Sequence, residues 1–309
     1  MTDKVGGKFH ALAEALRAEM EGEVLERVSM RPYTSFRIGG LCELMAFPKT
    51  EAELELVISR CQAQEKPWRV IGAGTNLLVR DGGVEEVLLN LSRTFQQIKL
   101  SKDGEIVAEA GLRLARLIKT CQNQGFSGLE FAAGIPGTVG GAVAMNAGAM
   151  GSDMAAVVKR IQGFSPSEGA FQWQGKQIKF GYRRLERPAD AVFTNVQFQL
   201  QAEDPRKIRV RIVDWLWERR GRQPLHYPSA GSVFKNPPGR FAGQLIEEAG
   251  LKGERLGDAQ ISEKHANFII NRGRARSREV LALIERIQKA VAERTGIKLE
   301  LEIEVLGKD

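Results

Sequence analysis

The chain has 309 residues, of which 43% are apolar and 27% charged, so it can bury a sizeable core and is not a disordered protein. Its 45 basic and 38 acidic side chains give a formal net charge of +7. The first ten residues contain no apolar leader core, and no stretch approaches the roughly 20 apolar residues that span a bilayer. We therefore expect a cytoplasmic protein of two or three domains, without a membrane segment.

The first third of the sequence predicts a βαβ arrangement. Leu12, Leu16 and Met20 are spaced four apart, which predicts a helix within residues 9–25. A strand is predicted at 43–47, followed by a helix that Thr50 and Glu53 begin with capping-box spacing. Pro67 ends this unit, and a second strand at 68–71 leads into the glycine-bearing run 72–79.

Short strands dominate the middle of the sequence. We predict strands at 87–91, 106–110 and 191–200, and one helix at about 113–124 that Gly125 ends. Asp204 and Pro205 mark the start of a further helix, which should be stopped near Gly221 and Pro224. The apolar residues expected on its buried face are Ile208, Ile212, Trp215 and Leu216.

The last third predicts a loop at 224–240, a short helix through Leu245 and Ile246, and a strand at 265–270. Ser277 is expected to cap a final long helix. The segment 298–305 alternates charged and apolar residues as a strand does, so its three glutamates would share one face. These glutamates are Glu300, Glu302 and Glu304.

Cysteine and histidine usage argues against a disulfide framework and against a protein-held metal. The residues concerned are Cys42, Cys61, Cys121, His10, His226 and His265. The cysteines lack Cys-x-x-Cys spacing and the histidines lack zinc-binding spacing. We expect reduced, buried cysteines and no metal.

Basic residues concentrate at 206–222 and 272–278. Such clusters are typical of solvated faces, but they also fit a polyanion, either nucleic acid or a small nucleotide diphosphate. A nucleic-acid-binding module would need exposed aromatic side chains among the arginines. Trp215 and Trp217 lie two apart on the predicted helix, where at least one should be core, so this alternative is disfavoured.

Two glycine-dense loops suggest a phosphate site. The run Gly72-Ala73-Gly74-Thr75-Asn76-Leu77 follows a predicted strand but lacks the third glycine of G-x-G-x-x-G, which disfavours a Rossmann site. The second loop, 134–148, contains Gly134, Gly137, Gly140, Gly141 and Gly148. Such loops either make tight turns or let backbone N–H groups converge on an anion. Two of them in one domain favour a dinucleotide.

Two further segments contain candidate reactive side chains. Small residues at 228–237 leave Ser232 accessible, with Lys235 and Asn236 nearby. This is not the G-x-S-x-G nucleophile elbow, so a serine hydrolase is disfavoured, although His226 and His265 keep it open and a polar turn is the plain alternative. Arg183, in Phe180-Gly181-Tyr182-Arg183, could clamp a carboxylate or simply form a surface salt bridge.

Taken in order, these segments resemble the UDP-N-acetylenolpyruvoylglucosamine reductase family, over nearly the whole chain beyond the first thirty residues. The segments that carry the resemblance are Thr34 to Gly40, Gly72 to Leu78, Gly134 to Gly148, Phe180 to Arg183, Gln223-Pro224 with Ser229 to Pro237, Phe241 to Ile246, Glu263 to Phe268, and Leu301 to Val305.

The resemblance implies an α+β fold with a vanillyl-alcohol-oxidase (PCMH) type FAD-binding domain and a C-terminal α+β substrate-binding domain. The implied limits are a helical segment at 1–33, an FAD-binding domain at 34–203 with subdomains at 34–84 and 85–203, and a substrate-binding domain at 204–309. The last strand, 298–306, would return to the active site. NADPH would reduce non-covalently bound FAD, which would then reduce UDP-N-acetylglucosamine enolpyruvate to UDP-N-acetylmuramate.

The resemblance also implies roles for individual residues. Ser232 would donate a proton, Arg183 would lie near the substrate carboxylate, and Glu304 would pair with them; the family pattern selects Glu304 over Glu302, which alternation leaves open. The substrate-binding residues would be Tyr182, Arg222, Lys235, Asn236 and His265. The cofactor-binding residues would be Gly72, Ala73, Gly74, Thr75, Asn76, Leu77, Gly134, Gly137, Thr138, Gly140, Gly141, Ala142, Asn146 and Gly148. No nucleic acid, membrane or obligate protein partner is expected.

The sequence departs from the family pattern at two positions. Leu185 stands where a serine is frequent, and Arg222 stands where lysine is frequent. The short segment after Arg183 resembles the compact subclass without a tyrosine-bearing loop. A flavin oxidase of the same superfamily remains an alternative, but no histidine between His10 and His226 could attach its flavin covalently.

Overall fold

The structure, a computed structural model, describes residues 9–309. The predicted segment 1–33 and the expected absence of a leader therefore fall partly outside the described residues. Two contact-defined units make up the described chain: unit 1 contains 9–25, 45–73 and 87–219, and unit 2 contains 26–44, 74–86 and 220–309. The chain passes between them several times, so these units are not the consecutive domains predicted at 34–203 and 204–309, and those limits stay a prediction.

Residues 9–309 contain helices and short strands throughout. The helices are α1 His10–Glu19, α2 Glu51–Ala63, α3 Leu114–Gln124, α4 Val139–Ala144, α5 Pro205–Arg222, α6 Ala242–Glu248 and α7 Ser277–Thr295. The strands are β1 Glu23–Ser29, β2 Leu41–Phe47, β3 Trp68–Ile71, β4 Leu77–Val79, β5 Val84–Asn90, β6 Ile98–Leu100, β7 Glu105–Glu109, β8 Phe126–Ser127, β9 Gly148–Ala149, β10 Ser152–Asp153, β11 Val158–Ser165, β12 Gly169–Gln174, β13 Lys179–Gly181, β14 Arg184–Glu186, β15 Val192–Gln199, β16 Gln201–Ala202, β17 Arg255–Leu256, β18 Ala259–Ile261, β19 Ile269–Asn271 and β20 Glu304–Leu306.

Unit 1 is built around a five-stranded antiparallel sheet of order β12-β11-β15-β7-β6. Helix α3 buries Leu114, Leu117, Ile118 and Cys121, the i, i+3, i+4, i+7 spacing of one helix face. It ends at Gly125, whose φ of 74° is the left-handed conformation that glycine adopts without strain. A second sheet, of order β1-β2-β5-β3, includes the parallel pair β3 and β5.

Unit 2 is built around the antiparallel strands β17-β18-β19, against which helix α7 packs. The buried face of α7 contains Val280, Leu283, Ile284, Ile287 and Val291. Strand β20 pairs in parallel with β4, with Glu304 opposite Leu77. The C-terminal strand therefore lies beside the exit of the first glycine-dense loop.

Several sequence-based boundaries need correction near the N-terminus. Helix α1 ends at Glu19, and residues 23–25 belong to strand β1 rather than to the helix predicted over 9–25. The Thr50 side chain accepts from the Glu53 N–H as predicted, at 3.2 Å. The Glu53 carboxylate, however, accepts from the N–H groups of Lys49 and Glu21 at 2.7 and 2.8 Å, so it joins α2 to the segment before β1.

The C-terminal half also differs from the prediction in detail. His265–Phe268 forms a turn closed by the Phe268 N–H and the His265 carbonyl, and the strand begins only at Ile269. Ser277 is the first residue of α7 rather than its cap, and it exchanges hydrogen bonds with Asp81. The predicted strand at 298–305 is interrupted, since regular pairing begins at Glu304, and the argument for one shared glutamate face fails.

Helix α5 buries fewer of its apolar residues than predicted. Ile208 and Ile212 are buried, Trp215 is half-buried, and Leu216 is 42% exposed. Trp217 is 69% exposed. All three cysteines are buried with free thiols, as predicted, and burial raises the pKa of Cys61 and Cys121 to about 12.

Candidate functional site

Within unit 1, the first residue of the first glycine-dense loop, Gly72, packs against the second loop. Gly72 follows β3, and a Cβ placed there would clash with Oγ1 of Thr138. Thr138 caps helix α4, because its Oγ1 accepts from the Gly141 N–H at 3.3 Å. At Gly140 a Cβ would lie 2.9 Å from the Cβ of Ala110. These glycines are therefore required by close packing between the loops and the sheet.

The second loop packs against a basic side chain of helix α5, Arg219, that the sequence analysis did not single out. Gly134 has φ +77°, and a Cβ there would lie 3.0 Å from Cδ2 of Leu216 and 3.2 Å from Nε of Arg219. This Nε is buried without a hydrogen-bond partner within the described residues, and burial lowers the pKa of the guanidinium. The only sequence signal was that Arg219 belongs to the basic run 206–222. Packing against Gly134 makes it a candidate anion-binding residue.

Asn146 connects the second loop to the turn that bears Arg183. Its Nδ2 donates to the carbonyl of Gly181 and to Oδ2 of Asp153, both at 3.0 Å, and its Oδ1 accepts from the Ala155 N–H at 3.1 Å. The side chain is 3% exposed. These contacts hold the loop in place, and the predicted cofactor-binding role of Asn146 stays a prediction.

The arginine motif lies on the turn between β13 and β14 in unit 1. Arg183 adopts φ +56°, a left-handed conformation that a side chain with a Cβ rarely adopts. Its guanidinium carbon lies 5.4 Å from the ring centroid of Tyr182, which is 54% exposed. Leu185, the departure from the family pattern, is buried in the core of unit 1 and so has a packing role.

In unit 2 the first glycine loop is joined to the loop that bears Ser232. The Ser35 N–H donates to the carbonyl of Gly74, and its Oγ donates to the carbonyls of Thr75 and Ser229 at 3.3 and 2.7 Å. Gly74 has φ +62° and packs directly on the carbonyl of Tyr33. The motif that begins at Thr34 thus contacts both the first glycine loop and the Ser232 loop, through Ser35.

Asn76 holds the C-terminal segment. Its Nδ2 donates to the carbonyl of Glu302 at 2.9 Å, and its own carbonyl accepts from the Glu304 N–H at 2.9 Å. These contacts fix the backbone on both sides of Ile303, and the predicted cofactor-binding role of Asn76 stays a prediction. They place Glu304 at the end of the first glycine loop.

The backbone after Ser232 is fixed by Asn267, which is 3% exposed. The Asn267 carbonyl accepts from the Val233 N–H at 2.8 Å, its Oδ1 accepts from the Phe234 N–H at 2.9 Å, and its Nδ2 donates to the Phe234 carbonyl at 2.8 Å. The Glu302 N–H donates to the Val233 carbonyl at 2.8 Å. Half-buried Ser232 is therefore held on a rigid backbone that is hydrogen-bonded to the segment carrying Glu304.

Lys235, Asn236 and His265 surround the same loop. Lys235 Nζ lies 3.3 Å from Oε2 of Glu300, and Asn236 Oδ1 accepts from the Ala242 N–H at 3.0 Å. Burial is the largest influence on His265 and lowers its pKa. Its Nδ1 accepts from the Asn267 N–H at 3.3 Å, so the remaining ring proton belongs on Nε2.

The predicted residues divide between the units. Ser232, Glu304, Lys235, Asn236 and His265 belong to unit 2, as does Arg222, an exposed residue at the end of α5. Tyr182 and Arg183 belong to unit 1, together with the second glycine loop. No helix within residues 9–309 is long and apolar enough to cross a membrane.

Comparison with known proteins first defines the class. A family profile described as an FAD binding domain matches residues 42–165, and one described as the C-terminal domain of UDP-N-acetylenolpyruvoylglucosamine reductase matches residues 223–306. The predicted α+β class, with an FAD-binding domain followed by a C-terminal domain, is confirmed. The chain is an oxidoreductase that contains an FAD-binding domain.

The relatives define the family. The UDP-N-acetylenolpyruvoylglucosamine reductase of Moorella thermoacetica is 42% identical over 96% of this chain and 98% of its own length. The enzyme of the same name from Syntrophomonas wolfei is 41% identical over 91% of this chain and 94% of its own length. The crystal structure of the Thermus caldophilus enzyme matches with a TM-score of 0.79 at 37% identity, over 93% of this chain and all of that one. The chain belongs to the UDP-N-acetylenolpyruvoylglucosamine reductase family.

Proposed function

We propose that this chain reduces UDP-N-acetylglucosamine enolpyruvate to UDP-N-acetylmuramate, with NADPH as reductant, in peptidoglycan precursor synthesis. Family membership over more than nine-tenths of the chain supports the reaction. The observation that carries the catalytic assignment is the hydrogen-bonded junction between the Ser232 loop and the segment 302–304.

The described residues fit FAD as the cofactor. A Cβ at Gly72 would clash with Thr138, and Gly134 has a left-handed backbone, so both loops keep glycine where a cofactor could approach the main chain. The guanidinium of Arg219 beside Gly134 suits a diphosphate. We assign FAD binding to the two loops, through Gly72, Ala73, Gly74, Thr75, Asn76, Leu77, Gly134, Gly137, Thr138, Gly140, Gly141, Ala142, Asn146 and Gly148; Asn76 and Asn146 also hold the backbone of neighbouring segments.

FAD held by the two glycine loops would supply hydride transfer between NADPH and C3 of the enolpyruvyl group. Hydride addition leaves an electron pair at C2, which the adjacent carboxylate delocalises. Arg183 stabilises that charge, and Ser232 Oγ transfers its proton to C2. Glu304 is the carboxylate paired with this donor. The rigid backbone that Asn267 imposes on residues 233 and 234 orients the serine.

Substrate binding is assigned to Tyr182, Arg222, Lys235, Asn236 and His265. Lys235 and Asn236 would meet the diphosphate or uridine, since they follow the catalytic loop directly. The linker between β14 and β15 spans only residues 187–191, which supports the compact subclass without a tyrosine-bearing loop. The domain limits 34–203 and 204–309 belong to the same proposal.

We further propose that the enzyme acts in the cytoplasm on small molecules, without nucleic acid, membrane or an obligate protein partner. Part of the basic run on α5 has a structural role that supports this. Arg211 forms ion pairs with Glu130 and Glu203, at 2.7 and 2.5 Å. At least one arginine of this basic run, Arg211, therefore forms ion pairs within the protein.

An anaerobic half-reaction experiment tests the function. We expect NADPH to bleach the flavin spectrum and UDP-N-acetylglucosamine enolpyruvate to restore it. In Ser232→Ala, bleaching should be unchanged, whereas recovery should slow by about 10² to 10⁴, the usual contribution of general acid catalysis. Bleaching without recovery in the wild type would indicate another acceptor, and equal loss of both half-reactions in Ser232→Ala would refute the proton-donor role.

A further inference from the structure

Phe241 is an aromatic side chain that the fold leaves in solvent. It stands immediately before α6, and its ring is 67% exposed although α6 buries the next residue, Ala242, together with Leu245 and Ile246. A single exposed phenyl ring is unremarkable by itself, so its neighbours decide whether it has a role.

The neighbours of Phe241 are proposed substrate-binding residues. The Ala242 N–H donates to Oδ1 of Asn236, which fixes the backbone beside the ring. One residue further, a Cβ at Gly243 would lie 3.1 Å from Cε1 of His265. The exposed ring is thus carried on a segment held between Asn236 and His265, all within unit 2.

Two neighbouring side chains of this segment, Lys235 and His265, differ in charge. Lys235 provides a cation one residue before Asn236. His265 is packed edge-on against Phe268, with ring centroids 5.0 Å apart, and burial favours its neutral form. An exposed aromatic face beside a neutral imidazole suits an uncharged, flat heterocycle, and the neighbouring ammonium suits a diphosphate.

We propose that Phe241 is the stacking platform for the uracil ring of the substrate, with the diphosphate directed towards Lys235. This inference rests on the proposed function, because it takes the UDP-sugar as the substrate. Uracil is planar and uncharged, and stacking of a base on an aromatic side chain typically contributes about 1 to 3 kcal/mol. At 1.4 kcal/mol per factor of ten, this contribution corresponds to about 5- to 150-fold in affinity.

The test uses the FAD-loaded protein and measures UDP binding by calorimetry. We expect Phe241→Ala to raise the dissociation constant of UDP by about 5- to 150-fold, with Phe241→Leu close to it and Phe241→Tyr near the wild type. Inorganic pyrophosphate, which lacks the base, should bind all variants equally. Because stacking is remote from the reacting carbons, KM for the UDP-sugar should rise while kcat at saturation is retained.

A matched control is Trp217→Ala, which removes another exposed aromatic ring, in unit 1. It should leave UDP binding unchanged. If the wild type turns over the UDP-sugar but Phe241→Ala binds UDP like the wild type, the platform is refuted and the function stands. If Phe241→Ala lowers kcat rather than raising KM, Phe241 serves the chemistry or the fold, and stacking is refuted. A wild type that neither binds UDP nor turns over the UDP-sugar overturns the function and the platform together.

Discussion

Three asparagine side chains fix the backbone around the candidate site. Asn267 holds the residues after Ser232, Asn76 holds the segment before Glu304, and Asn146 holds the turn before Arg183. An amide is suited to this because it donates and accepts at once. At each place it bonds to backbone groups of another segment, and a buried backbone group left without a partner typically costs about 1 to 3 kcal/mol.

Glu130 gives a prediction at the same scale. Burial by itself would raise the pKa of this carboxyl, but donors from Arg211, the Gly128 N–H and Ser127 outweigh burial and hold the pKa below its ordinary value. A lowered pKa in the folded state stabilises the protein above the unfolded-state value of about 4.3 and loses that effect as pH falls. Glu130→Gln should therefore be less stable at pH 7, with a gap that narrows below about pH 4.3.

Urea unfolding at several pH values measures this gap. Glu14→Gln is the control, because Glu14 forms an exposed ion pair with Arg17 and such pairs contribute little. A gap between wild type and Glu130→Gln that stays constant from pH 7 to pH 3 would contradict the assignment.

At the scale of elements, the second glycine loop packs against α5. Gly134→Ala would be strained by φ +77° and would also push a Cβ towards Leu216 and Arg219. Gly151→Ala has nearly the same strain, with φ +79°, but no atom within 4 Å of the new Cβ. Both substitutions should cost about 1 to 2 kcal/mol from the left-handed backbone. Only Gly134→Ala should also displace Arg219 and weaken FAD binding.

Two measurements separate these effects. The free energy of unfolding measures the cost of the left-handed backbone, which both variants share. Titration of FAD into the apoprotein measures the dissociation constant of FAD, which depends on the loop. We expect a raised dissociation constant for FAD in Gly134→Ala alone. Equal FAD affinity in the two variants would show that contact between the loop and α5 does not serve the cofactor.

At the scale of the whole molecule, the net charge of +7 should assist capture of the anionic substrates. Added salt shortens the distance over which charges act: the Debye length falls from about 30 Å at 0.01 M to about 8 Å at 0.15 M. We expect kcat/KM for NADPH and for the UDP-sugar to fall as NaCl rises over this range, with kcat nearly constant. Sucrose of equal osmolality is the control, and salt-independent kcat/KM would contradict electrostatic steering.

Much of the secondary structure could be predicted because apolar spacing and helix-end residues act between residues that are close in sequence. Two examples are the apolar spacing of α3 with Gly125 after it, and Asp204 before α5 with Pro205 as its first residue. These signals act within one or two turns of a helix. Predictions failed where a partner distant in sequence decides. Residues 23–25 became a strand through sheet pairing, and Ser277 bonds with Asp81 instead of capping α7.

By itself, the sequence determined the α+β class, the two glycine loops and, through its resemblance, the family. Only the tertiary structure decided what individual polar residues contact. It joined Asn76 and Asn146 by hydrogen bonds to the backbone of distant segments, placed Arg219 against Gly134, and left Phe241 exposed beside Asn236. The physical reason is that a motif specifies local backbone geometry, whereas hydrogen-bond partners and burial depend on segments that are distant in sequence, such as Asn76 and Glu302, which are 226 residues apart.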